Sequence, residues 1–122
     1  MARFVYVQTR GNEAPERCFT VFFMASVAKA MDDDADIIFT QTGLSIFARD
    51  FADNVLALDG SGKTLTDFMR NAYDQGVTFY GCRLSLPLVN LEPSAVAWPI
   101  TWIGAADFHQ LLLEADRAVY LS

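Results

Sequence analysis

A cysteine, an arginine and a serine stand close together in Gly81-Cys82-Arg83-Leu84-Ser85, directly after the apolar run Val77-Thr78-Phe79-Tyr80. Cysteine does chemistry as a thiolate, which is favoured by nearby positive charge and by the amide groups of a starting helical turn. Arg83 supplies the first, and a turn after the strand would supply the second. A thiolate so placed is a nucleophile toward sulfur or carbon centres. The same position also suits a small buried hydrophobe, the commonest fate of an unpaired cysteine. The residues alone leave both readings open.

Other candidate groups offer less. Cys18 lies in the first turns of an apolar helix and is expected to be core, with no spacing that pairs it to Cys82. Two cysteines make no disulfide framework, and no Cys-x-x-Cys or His-x-His spacing suggests a metal site, so neither metal nor cofactor is expected. His109 is the only histidine, and nothing in the sequence brings it within reach of Cys82; an exposed or interface position is expected. Asp59-Gly60-Ser61-Gly62-Lys63-Thr64 imitates the end of a phosphate loop, but Ala57 occupies the place of the required earlier glycine. A turn followed by a Thr64 helix cap explains that stretch.

The elements that must position Cys82 follow from periodicity. Strands are predicted at Arg3 to Thr9, Asp36 to Thr40, Val77 to Gly81, Ile100 to Gly104 and Arg117 to Leu121. Helices are predicted from Pro15 to about Met31, from Thr64 to Gln75 with Gly76 ending it, and from Ala105 to Asp116. Leu44 to Asp53 reads as one or two helical turns, and Leu84 to Asn90 as a short helix interrupted by Pro87. The Asp32-Asp33-Asp34 run reads as a solvated connection. Polar residues are scattered around the first helix, so it should pack on two sides, against the sheet and against a partner subunit. Alternating strands and helices imply a mostly parallel sheet covered on both faces, with right-handed crossovers. In such sheets reactive groups collect beyond the carboxyl ends of the strands, which is where Cys82 falls.

At 122 residues the chain has the size of one domain, taken as 1–122. Its 52% hydrophobic content is high for a monomer with a wetted shell, which again implies subunit contacts. A net charge of −6 provides no basic field for nucleic acid. The N-terminus lacks a signal-peptide pattern, and the apolar run from Cys18 to Ala28 is too short to span a bilayer. The expectation is a soluble cytoplasmic protein that contacts neither nucleic acid nor membrane.

The first strand with its glycine turn, the long apolar helix, Thr42-Gly43-Leu44, GVTFYGC and the closing ITWIGAADFHQLLLEADRAVYL together resemble the DsrE/DsrF-like family of sulfur-relay proteins. The resemblance covers nearly the whole chain. It implies an α/β fold, a three-layer α/β/α arrangement around a five-stranded, mostly parallel sheet. It also implies assembly into homo- or hetero-trimers or hexamers, and a strand-end cysteine that carries sulfur as a persulfide. Only Cys82 matches the carrier position. On that basis the expected function is an intracellular sulfur carrier or sulfurtransferase, with sulfur donor and acceptor proteins as partners. Gly81, Arg83 and Ser85 are then candidates to stabilise the charged sulfur through backbone or side-chain donors. The alternative implied by the same resemblance is a non-catalytic structural or regulatory subunit of a DsrE-type oligomer.

Overall fold

A computed structural model describes residues 1–122. Its centre is a five-stranded sheet, β1 (Arg3–Gln8), β2 (Asp34–Phe39), β3 (Thr78–Cys82), β4 (Thr101–Ile103) and β5 (Arg117–Leu121). Every pairing is parallel, and the order across the sheet is β4-β3-β2-β1-β5. The chain therefore steps outward from β1 to β4 and then returns to the far side of β1. Sequence periodicity is local and carries no information on this order.

Strand alternation divides the side chains between two unequal layers. On one face Tyr6, Ile37, Phe39 and Phe79 pack with Val21, Phe22 and Ala25 of α1 (Phe19–Ala30) and with Leu65, Met69 and Ala72 of α2 (Leu65–Asp74). Leu86 and Val89 of the one-turn α3 (Leu86–Val89) close the same core. The other face buries only Val5, Val7, Ile38 and Ile103 beneath Leu111 of α4 (Ala105–Glu114), with Phe108, Leu112 and Ala115 alongside. These layers, helices on both sides of the sheet, are the expected α/β/α architecture.

The differences from expectation lie at element ends. The first helix is split: Pro15–Arg17 forms a 3-10 turn, the Cys18 amide bonds Pro15 O at 3.2 Å, and regular helix starts at Phe19. β2 begins two residues earlier than periodicity indicated, because Asp34 and Ala35 pair with Arg3 and Phe4. The aspartate run is correspondingly tied down, with Asp33 Oδ1 accepting from Ala2 N and Asp34 facing Lys29 at 3.6 Å. Leu44 to Asp53 resolves into 3-10 turns at Gln41–Phe47 and Ala52–Asn54. β3 runs one residue further than expected, so Cys82 is its last residue. Thr64 caps α2 as anticipated, and Asp67 returns the bond to the Thr64 amide. Gly76, at φ +95°, takes the left-handed turn that ends that helix. On α1 Phe23 and Met24 face outward and are exposed. No helix is long and apolar enough to cross a membrane.

Candidate functional site

Cys82 ends β3 at the carboxyl edge of the sheet, paired in register with Ile103 of β4. Its backbone is still extended and serves as the lead-in to a 3-10 turn at Arg83–Ser85. Two residues beyond Ile103, α4 begins at Ala105, so the first turn of that helix shares this edge with the thiol. A side chain on Gly81 would point into the larger core layer, toward Trp102 and Ile100. Alternation therefore turns Cys82 to the opposite face, the α4 side, which it shares with Tyr80. Cys82 is 5% exposed but belongs to neither hydrophobic core cluster.

Each neighbour named from the sequence has a definite place. A Cβ added to Gly81 would lie 2.5 and 2.7 Å from ring carbons of Trp102 and 2.9 Å from Ile100 Cγ2. Gly81 thus lets the Trp102 ring approach the strand closely just before Cys82. Arg83 is exposed and forms no ion pair, although five other ion pairs occur in the molecule. Ser85 is buried, and its hydroxyl accepts from Gln41 N at 2.7 Å and lies 3.3 Å from Thr40 Oγ1. That clasp ties the turn after β3 to the end of β2. When Thr40 donates to it, the Ser85 hydroxyl keeps its own hydrogen free to donate elsewhere.

Sequence reasoning missed Thr40 and Gln41. Gln41 takes a left-handed backbone, φ +51°, which presents its amide to Ser85. It also missed that Leu84 and Leu88, in the segment that follows Cys82, face solvent at 74% and 63% exposure. The signal for the second was present, since two leucines four residues apart directly follow Arg83 and Pro87.

Cys18, at the same edge but in the other layer, is wholly buried. Its thiol is directed at Gly11 O, 3.3 Å away, and Ala14 O, at 3.5 Å. Burial, with the negative charges of Glu13 and Glu16, pushes its pKa up to about 12. This is the structural cysteine the sequence indicated. Beneath it, Gln8 is buried and its Nε2 donates to Arg10 O and Arg17 O, which fixes the amide orientation and leaves Oε1 without a partner. His109 is exposed on α4. Gly60 and Gly62 adopt left-handed turns in the loop before Thr64, and Asp59 accepts from Ser61 N, the turn-and-cap arrangement rather than an amide cradle. A cleft of about 750 Å³ between the 46–53 and 89–98 loops is not lined by Cys82.

Fold and edge geometry define a class: a doubly wound parallel α/β protein with one thiol at the rim of its sheet and another sealed in its core. The model of the DsrE/DsrF-like family matches residues 2–121, and the chain belongs to that family. Among solved structures it is similar to the YchN protein from E. coli, with a TM-score of 0.75 over 99% of this chain and 100% of that one, at 14% sequence identity. At that identity the likeness is one of fold. No curated protein matches the chain by sequence.

Proposed function

We propose that this chain, acting as one DsrE-like domain, is a cytoplasmic sulfur carrier or sulfurtransferase that holds sulfane sulfur as a persulfide on Cys82. Membership of the DsrE/DsrF-like family supports a sulfur-relay role in general. The observation that carries the specific reading is the position of Cys82. It stands at the carboxyl edge, outside both core clusters, beside an exposed arginine that no carboxylate neutralises. In the reaction the Cys82 thiolate attacks the outer sulfur of a donor persulfide. The inner sulfur of the donor departs as a thiolate, and Cys82 is left as a persulfide with the outer sulfur still protonated. An acceptor thiolate repeats the exchange and removes that sulfur. No net oxidation occurs. In this reading Arg83 and the amides around Gly81 and Ser85 would stabilise the charge on the sulfur. The exposed Phe23 and Met24 on α1 are consistent with assembly into trimers or hexamers, of this chain alone or with related chains.

A second reading is favoured by one observation, the 5% exposure of Cys82. A thiol so covered suits a non-catalytic structural or regulatory subunit of a DsrE-type oligomer. Intact mass spectrometry after incubation with polysulfide or thiosulfate separates the two. The carrier reading expects wild type to gain one sulfur that Cys82→Ser does not gain. A gain retained in Cys82→Ser overturns it, and no gain in wild type selects the subunit reading.

A further inference from the structure

The turn that follows Cys82 is apolar on both sides. Leu86 and Val89 pack inward on the larger core, while Leu84 and Leu88 point outward, with Pro87 and Arg83 exposed between and beside them. Folding of this chain gives no reason for the outward pair, since neither leucine joins a buried cluster. Arg83 is the only cation between Arg70 and Arg117 and has no carboxylate partner, in a chain whose net charge is −6. A free positive charge in the same short exposed segment as two leucines has a complement: an apolar side chain next to a carboxylate.

We infer that Arg83, Leu84 and Leu88 form a docking surface for an acidic, apolar peptide segment that carries the persulfide or acceptor thiol exchanging with Cys82. The inference rests on the carrier reading above and names the kind of partner that site takes. An apolar residue of the segment covers Leu84 and Leu88, and its carboxylate pairs with Arg83. This brings the segment's own sulfur to the rim where β3 ends. Pairing that is weak in open water strengthens once the leucines exclude solvent around it. The same surface repels a basic segment, so it discriminates as well as attracts.

Two synthetic peptides test this, identical except that the cysteine persulfide is flanked by leucine and glutamate in one and by leucine and lysine in the other. The measured quantity is the rate at which intact protein gains one sulfur. Wild type is expected to load about tenfold faster from the acidic peptide, and Arg83→Glu is expected to reverse the ratio. Leu84→Ser with Leu88→Ser should bring the ratio toward unity by admitting water to the pair. If wild type loads from both peptides at equal rates, or Arg83→Glu leaves the ratio unchanged, the docking surface is wrong while the carrier reading stands. If wild type gains sulfur from neither peptide nor from inorganic polysulfide, the carrier reading itself fails and takes this inference with it.

Discussion

Cys18 and Cys82 sit at the same edge of the sheet, on opposite faces, and differ in almost everything a thiol needs for chemistry. Cys18 is enclosed in the larger core, its thiol aimed at two carbonyl oxygens, with two glutamates nearby that oppose ionisation. Cys82 is covered but lies outside both cores, with an unpaired arginine as its neighbour in sequence. The surroundings differ in the same sense. Around Cys18 the loops after β1 and β2 interlock through backbone atoms, and Gly43 packs against Gln8 O so closely that a Cβ would lie 2.2 Å from it. Around Cys82 the equivalent close approach, at Gly81, is made by the side chains of Trp102 in the edge strand β4 and of Ile100 just before it. One thiol is set in a rigid wall, the other beside parts that can shift.

The largest expected effect is in alkylation by iodoacetamide at neutral pH. With its pKa pushed up to about 12, Cys18 is thiolate in only about one molecule in 10⁵ at pH 7. Higher intrinsic nucleophilicity offsets part of this, leaving Cys18 on the order of a hundred-fold slower than an ordinary thiol even before burial slows it further. Cys82, outside both cores, should therefore be modified first, with the two rates equal in denaturant. Equal rates in the folded protein would remove the contrast. The same shift acts on stability. The unfolded chain releases the Cys18 proton near pH 9, whereas the folded protein holds it to about 12. The contribution is fully present below about pH 9 and is lost as pH climbs through 12. Alkaline unfolding that is steep in wild type and flatter in Cys18→Ala is the matching observation.

Much of this contrast was legible in the sequence where it depended on near neighbours. The apolar residues around Cys18 marked it as core, Thr64 announced its own helix, and the last strand was delimited at Arg117–Leu121. What sequence could not convey were contacts made across the fold. The Ser85 clasp joins residues 44 apart and depends on Gln41 adopting a left-handed backbone that no local pattern demands. The need for glycine at position 81 comes from Trp102, which reaches it only because β4 pairs with β3. Leu84 and Leu88 are visibly apolar, but which leucines of that segment turn outward is decided by what Leu86 and Val89 find to pack on.

Alanine at two glycines sharpens the difference in rigidity. Gly43→Ala meets a backbone carbonyl fixed in β1, which cannot yield without disturbing the strand, so a loss of about 3 kcal/mol or more is expected. Gly81→Ala meets the Trp102 ring and the Ile100 side chain, which can rotate away, and about 1–2 kcal/mol is expected. Urea unfolding of both variants measures this directly. The reverse order would mean that the Cys82 side of the edge is the stiffer one.

Ser85→Ala carries the smallest effect and bears most closely on how Cys82 is reached. The substitution removes the acceptor for Gln41 N and the partner of Thr40 Oγ1, while the methyl group still fits where the serine stood. Because Gln41 is at the surface, water can replace the lost bond, and the cost should be about 1 kcal/mol. The turn at 83–85 would then be held to β2 only by its packing. Exposure of the thiol at the end of β3 should increase, so Cys82 alkylation is expected to quicken about threefold while Cys18, in the opposite layer, keeps its rate. If both cysteines speed up together, the variant has loosened the whole domain, and the clasp is not specific to Cys82. If neither changes, the covering of Cys82 lies elsewhere than in the turn that Ser85 holds.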